Sequence, residues 1–295
     1  MPTALPQPLR NTRVLSLALN LPGPAALMRC ARMGAECTKL EPPPAPGYPS
    51  ADPMGIYSPA AYATLHDGVR VVHAHLKTPE GQAALHDELA RTDVLITSFR
   101  PSALTKLGLG WDALQAQYPR LSLVRIVGAA AERAEEPGHD LTYLADAGLV
   151  TGLDLPATLF ADMGGALMTS EAVLQAVLVQ RAKGKGSVQS VALSDAAAWL
   201  ALPRQWGLTQ PDGAVGGAHA GYRVYPCRDG RVAVAALEPH FAARLCEAAG
   251  IAMKGMATMM LPATHKAVAK FVASKTRREL DQLASERDIP LHTLA

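Results

Sequence analysis

The chain of 295 residues has little net charge, few cysteines and no long apolar run. A formal net charge of +2 is too small for the broad basic face that nucleic acid or an anionic membrane demands, though it permits a local basic pocket for an anionic ligand. Only 18% of the residues are charged and 49% are apolar. So apolar a chain of this length can bury a large core, which excludes a disordered class. No stretch has the length and apolarity of a bilayer span, and the opening MPTALPQPLRNTR lacks the apolar segment of a secretory signal. Cys30, Cys37, Cys227 and Cys246 include no CxxC and no metal-ligand spacing. They read as buried thiols of a reducing compartment. The expectation is a cytoplasmic protein with no metal, no nucleic-acid partner and no membrane.

What is present alternates between strand and helix signals. RVLSLAL (residues 13–19) is an apolar run of strand length. PGPAALMRCARMG follows, with prolines at its start and Gly34 at its end, the usual punctuation of a helix. ECTKLE (36–41), VRVVHAHL, DVLITS and LSLVRIVG (121–128) read as further strands. Thr78 and Pro79 open a helix over EGQAALHDELAR. Strands alternating with helices imply βαβ units and a mostly parallel sheet. No GxGxxG follows the first strand, so the usual dinucleotide fingerprint is absent. EPPPAPGYPSADP reads as a Pro-rich surface loop. A long helix is expected from near Asp162 to KGKG, with Leu167, Leu174 and Leu178 at roughly helical spacing. SVQSVAL is one more strand. The texture changes near Gly213. YRVYPCRDGRVAVAAL reads as a hairpin around Asp229 and Gly230, and helices follow. No internal repeat is present.

Several polar residues have plain readings. Asp162, before the long helix, would serve as an N-cap. His139, in GHD, reads as a loop residue, and Asp140 as a cap of the LTYLADAGL helix. Glu238, ahead of Pro239, would open a helix. His73 and His75 share one strand face in an HxH pair, but no third or fourth ligand is evident, and they read as packing or surface residues.

Eight stretches in order resemble the family III CoA transferases (CaiB/BaiF), which include the 2-methylacyl-CoA racemases. They are VLSLALNLPGPAALMRCARMGAECTKLEPP, LKTPEG, SFRPSALTKLGLGWDALQAQYPRLSLVRIVG, GHDLTYLADAGL, ADMGGALMTSEAVLQAVLVQRAKGKG, VALSDAA, YPCRDGRVAVAALEPHF and LASERDIPL. The resemblance covers nearly the whole chain. It implies an α/β fold: a large Rossmann-like CoA-binding domain over residues 1–212 and a small α+β domain over residues 213–295. It also implies a homodimer of interlocked rings, with an acyl-CoA as substrate and CoA as its carrier.

The resemblance also assigns roles. In transferases of this family the aspartate matching Asp162 is the nucleophile that carries acyl and CoA groups. In racemases it exchanges the α-proton. Gly164 and Gly165 would let a thioester approach the backbone closely. Transferases commonly place an aromatic residue where this chain has His139, whereas racemases have GHD. Moving an α-proton from one face to the other needs two bases on opposite sides, and donors to polarise the thioester carbonyl. Glu238 matches the racemase glutamate that approaches the histidine and orients it or sets its protonation state. Arg100, Lys39 and Arg70 match positions with basic residues at or near CoA. Met163 and Met168 are candidate acyl contacts.

Two departures stand out. The segment between His139 and Asp162 is shorter than in typical racemases, and the chain stops at LHTLA, without the family's tail that returns to the large domain. The expectation is a ring that is open or is closed by other contacts. The leading hypothesis is racemisation of a 2-methylacyl-CoA by His139 and Asp162. The alternatives are CoA transfer through Asp162, and a non-catalytic CoA-binding protein.

Overall fold

The computed structural model describes residues 6–295. The chain divides into two compact units, Met1–Ala201 and Leu202–Ala295. The division falls at Leu202, while the change of sequence texture comes at Gly213.

The first unit runs β1 (Arg13–Ser16), α1 (Pro22–Arg32), β2 (Glu36–Glu41), α2 (Pro53–Tyr57), α3 (Pro59–Leu65), β3 (Arg70–His73), α4 (Pro79–Leu89) and β4 (Val94–Thr97). It continues with α5 (Pro101–Lys106), α6 (Trp111–Gln117), β5 (Ser122–Val127), α7 (Asp140–Asp146), α8 (Phe160–Lys183), β6 (Val188–Ala192) and α9 (Leu193–Leu200). The six strands form one sheet in the order β3-β2-β1-β4-β5-β6. Every pairing is parallel. This is the doubly wound α/β arrangement, and it meets the expectation of a Rossmann-like sheet.

A parallel sheet of this kind is covered on both faces, so its strands carry apolar residues on both sides. Alternation divides them. Val14, Ile96, Val124 and Ile126 pack with Leu27 and Cys30 of α1 and with Val173 and Val177 of α8. Their neighbours Leu15, Leu95 and Leu123 point the other way, onto Leu85 and Leu89 of α4 and onto Leu104 and Leu114. Four-residue β4 is buried throughout. Helix α8 spans 24 residues and ends at Gly184 with φ +70°, a left-handed cap that glycine accepts without a Cβ clash. It starts at Phe160, two residues before the expected Asp162. Among the described residues, no helix is long and apolar enough to cross a membrane.

The Pro-rich segment is not a simple surface loop. Ser50 and Asp52 are buried. The Ser50 hydroxyl donates to Glu41 at 2.8 Å, and Asp52 pairs with Lys39. Polar partners at the end of β2 pull the segment inward, and α2 and α3, which the sequence did not announce, follow from it. Asp52 caps α2 by accepting the Met54 N–H at 2.9 Å.

The second unit contains α10 (Leu202–Gln205), β7 (Tyr222–Cys227), β8 (Gly230–Ala235), α11 (Pro239–Ala248), α12 (Pro262–Ala273), α13 (Arg277–Arg287) and β9 (Leu291–Leu294). Its sheet is antiparallel in the order β7-β8-β9. Cys227 pairs with Gly230, so the turn residues are Arg228 and Asp229, one position before the expected centre. Strand β9 was not expected; LHTL is short and lacks the alternation that marks a half-buried strand. The core gathers Val232, Val234, Leu245, Val268, Val272 and Leu280. Thr276 and Glu279 form a reciprocal capping box at the start of α13.

Candidate active site

In a doubly wound sheet the ligand crevice lies at the carboxyl ends of the strands, where the chain order reverses. Here the reversal is between β1 and β4, because the chain runs outward through β2 and β3 before returning. A cavity of about 550 Å³ opens at that place. Its walls come from Asn20 after β1, Ser98 and Arg100 after β4, and Gly128 after β5. His139 and Asp162 also line it. The topology therefore brings together the two residues that the sequence placed 23 positions apart.

Asp162 is not a helix cap. It is the third residue of α8. The cap is supplied from another element: Asp140, the first residue of α7, accepts the Asp162 N–H through Oδ1 at 2.9 Å. Asp140 was expected to cap its own helix. Its carboxyl is instead buried against α8, and His139 takes the N-cap position of α7. The Thr142 hydroxyl accepts the His139 N–H at 3.0 Å and donates to its carbonyl at 2.7 Å. The backbone of GHD is thus fixed at both ends, while the His139 side chain is exposed to the cavity.

Burial pushes the Asp162 carboxyl up from 3.8 to about 6, the Asp140 carboxylate adds to the rise, and His139 opposes it. A first-turn carboxylate would otherwise favour its charged form beside the helix N–H groups. The result is an acid that changes state near neutrality, the range in which proton-transfer groups are most effective. Burial also raises the Tyr143 phenol, with Asp162 adding and Arg100 opposing. Gly138 of GHD has a packing reason: a Cβ there would stand 2.6 Å from the Tyr143 ring. One on Gly128 would stand 2.3 Å from its hydroxyl.

The remaining sequence candidates divide. Arg100 lines the cavity, exposed, and pairs with no carboxylate among the described residues. Lys39 is wholly buried, and its ammonium is taken by Glu41 at 3.0 Å and by Asp52. A cation so neutralised cannot reach a phosphate. Arg70 begins β3 and pairs with Glu88, at the amino edge of the sheet, away from the cavity. Gly164 and Gly165 face α9: a Cβ on Gly165 would meet Leu193 at 2.2 Å, and one on Gly164 would meet Leu200 at 3.3 Å. They serve close helix packing. Met163 is exposed on α8 and Met168 packs on the core; neither lines the cavity. Glu238 lies in the second unit, exposed, at the residue before α11. His73 Nε2 lies 3.3 Å from Glu41, and among the described residues no group of three His, Cys, Asp or Glu side chains is placed to hold a metal.

A second cavity of about 480 Å³ shares Leu19 and Phe99 with the first. Leu17, Leu40 and Leu107 make it apolar, and the exposed Lys77 and Lys106 stand beside them. Sequence reading missed both lysines. Their signal was present, since Lys77 lies in LKTPEG and Lys106 six residues after Arg100, but exposed lysines look solvated.

The family model described as CoA-transferase family III matches residues 9–295. The alpha-methylacyl-CoA racemase of Homo sapiens is 28% identical over 302 residues, covering 95% of this chain and 76% of that protein. A probable fatty acyl-CoA transferase of Mycobacterium tuberculosis is 30% identical over 220 residues, covering 68% of this chain and 54% of that protein. Among solved structures, a hypothetical protein of Mycobacterium tuberculosis (Rv3272) superposes with a TM-score of 0.82 at 23% identity, over 99% of this chain and 86% of that one. That last likeness speaks for the fold alone. A family match across nearly the whole chain, on the fold described above, makes this protein a member of CoA-transferase family III, acting on acyl-CoA.

Proposed function

We propose that this chain racemises or epimerises a 2-methylacyl-CoA, moving the α-proton between Asp162 and His139. The observation that carries the proposal is that both line one cavity and that the Asp162 carboxyl titrates near 6. One base removes the α-proton and leaves a thioester enolate; the other, protonated, returns a proton to the opposite face. The pair holds one proton between its two members in either direction. Tyr143 and Arg100 are among the donors in the cavity that could serve the enolate oxygen. The neighbouring apolar cavity suits the adenine end of CoA, with Lys77 and Lys106 at hand for its phosphates. The test is incubation with a panel of 2-methylacyl-CoA thioesters in deuterated water. Incorporation of deuterium at the α-carbon is expected, and its absence across the panel counts against the proposal.

CoA transfer is the second reading, favoured by relatives such as the succinate–glutarate CoA-transferase of Agrobacterium fabrum, 29% identical over 275 residues. Asp162 would then attack the thioester carbonyl, form an anhydride and become a thioester itself. Hydroxylamine or borohydride would trap that intermediate. The pH profiles also separate the two. A nucleophilic carboxylate gives a rate that rises through about pH 6 and levels off, whereas a pair that must share one proton gives a bell. CoA binding without turnover of any thioester would point to a non-catalytic binding protein.

A further inference from the structure

One wall of this cavity carries the polar residues Asn20 and Tyr57, and its construction is specific. Asn20 follows β1 with φ +64°, a left-handed backbone that asparagine tolerates better than most residues. Its N–H donates to Asp52 Oδ1 at 3.0 Å. The same carboxylate oxygen caps α2 through the Met54 N–H. Asp52 is wholly buried and paired with the equally buried Lys39. Helix α2 ends in Tyr57, whose hydroxyl donates to Asn20 Oδ1 at 3.1 Å. One buried carboxylate therefore sets both members of an Asn20–Tyr57 pair, and both members line the cavity with Asp162 and His139. Burial raises the Tyr57 phenol, and Asp52 and Asp162 add to it, so it stays protonated.

With Oδ1 committed to Tyr57, the Asn20 amide keeps its Nδ2 donors, which have no partner among the described residues. The Tyr57 oxygen keeps its acceptor capacity. Met163 and Met168, which would have made an apolar wall, do not reach this cavity.

We propose that Asn20 and Tyr57 determine acyl specificity, selecting short acyl-CoA thioesters that carry a hydroxyl or carbonyl oxygen near the α-carbon over isosteric alkyl ones. The inference rests on the assignment of this cavity to the acyl group under the function proposed above. A site built to hydrogen-bond a substrate oxygen rejects the analogue lacking it far more strongly than an apolar pocket rejects an added oxygen. Deleting the Asn20 amide removes the preference without touching either base.

The test compares 3-hydroxy-2-methylpropanoyl-CoA with 2-methylbutanoyl-CoA, which differ by a hydroxyl in place of a methyl. Binding is measured by calorimetry on the full chain and on its Asn20→Leu and Tyr57→Phe variants, and α-deuterium exchange is measured separately. The wild type is expected to bind the hydroxy compound roughly tenfold or more tightly. Asn20→Leu should erase or invert that ratio, and Tyr57→Phe should reduce it. Equal binding in the wild type, binding of neither thioester, or a ratio that survives Asn20→Leu overturns the inference. A preserved binding preference with no exchange in any variant supports the wall and rejects racemisation.

Discussion

Asp162 occupies the first turn of a helix, where ionisation is favoured, yet burial and the Asp140 carboxylate hold its carboxyl at about 6. Because this lies above the unfolded value of 3.8, the folded chain binds the proton more tightly and ionisation costs stability. The cost is absent below about pH 4, grows as pH rises toward 6, and is constant above that. Asp162→Asn removes the charge at nearly constant shape. Allowing for partial exposure, it should stabilise the chain by about 1–2 kcal/mol at pH 7. That corresponds to a rise of roughly 2–6 °C in Tm, with no gain near pH 4. Thermal melts at the two pH values check this. An unchanged Tm at pH 7 would mean that the carboxyl is ordinary and that its proton is not poised for exchange.

Among the elements, the end of β2 has the greatest leverage on the site. Lys39 and Glu41 project there into a buried network with Asp52, Ser50 and Tyr62. Burial pushes the Glu41 carboxyl up, but the Lys39 ammonium and hydrogen bonds from Lys39, Ser50 and Tyr62 outweigh it, so it titrates below its ordinary value. Lys39→Met would leave two buried carboxylates without their cation and should cost about 3–5 kcal/mol. Chemical denaturation followed by circular dichroism measures it; a loss under about 1 kcal/mol would show that the network is open to water. Lys39 also shows where reading a sequence stops. Most strands and helices of the first unit were legible from periodicity and punctuation, as at ECTKLE and at the Thr78 cap, because those signals are local; α2, α3 and β9 were not. The partners of Lys39 are not local: Asp52 comes 13 residues later in a stretch whose prolines suggest exposed loop. For the same reason Lys39, matched by resemblance to a basic position at or near CoA, gave no sign of its buried partners, and Gly164 and Gly165, expected to admit a thioester, gave no sign of α9 packed against them. His139 and Asp162 could be named from motifs. The crossing of the chain between β1 and β4, which puts them in one cavity, has no signature in composition or spacing.

At the scale of the molecule, the first unit leaves an unusual apolar surface on α8 and α9. Leu167, Trp199 and Leu200 are exposed and flank a cavity of about 360 Å³ between the helices. Contiguous exposed apolar surface of this kind marks an interaction site. We propose a second copy of the chain as its partner, because the family resemblance implies a dimer. Sedimentation velocity should show a dimer, and Leu167→Glu combined with Trp199→Glu should shift it to monomer with the circular dichroism spectrum retained. A monomeric wild type would remove the second copy from the account.

In the proposed reaction two residues on opposite faces of the substrate share the α-proton, and removing one base at a time separates their roles. His139→Asn and Asp162→Asn should each slow racemisation by roughly 10²–10⁴-fold. In deuterated water, each variant should still exchange the α-proton of one enantiomer, by way of the base that remains, and the two variants should act on opposite enantiomers. Racemisation at the wild-type rate in either variant, or equally fast exchange of both enantiomers by a single variant, would contradict a two-base reaction.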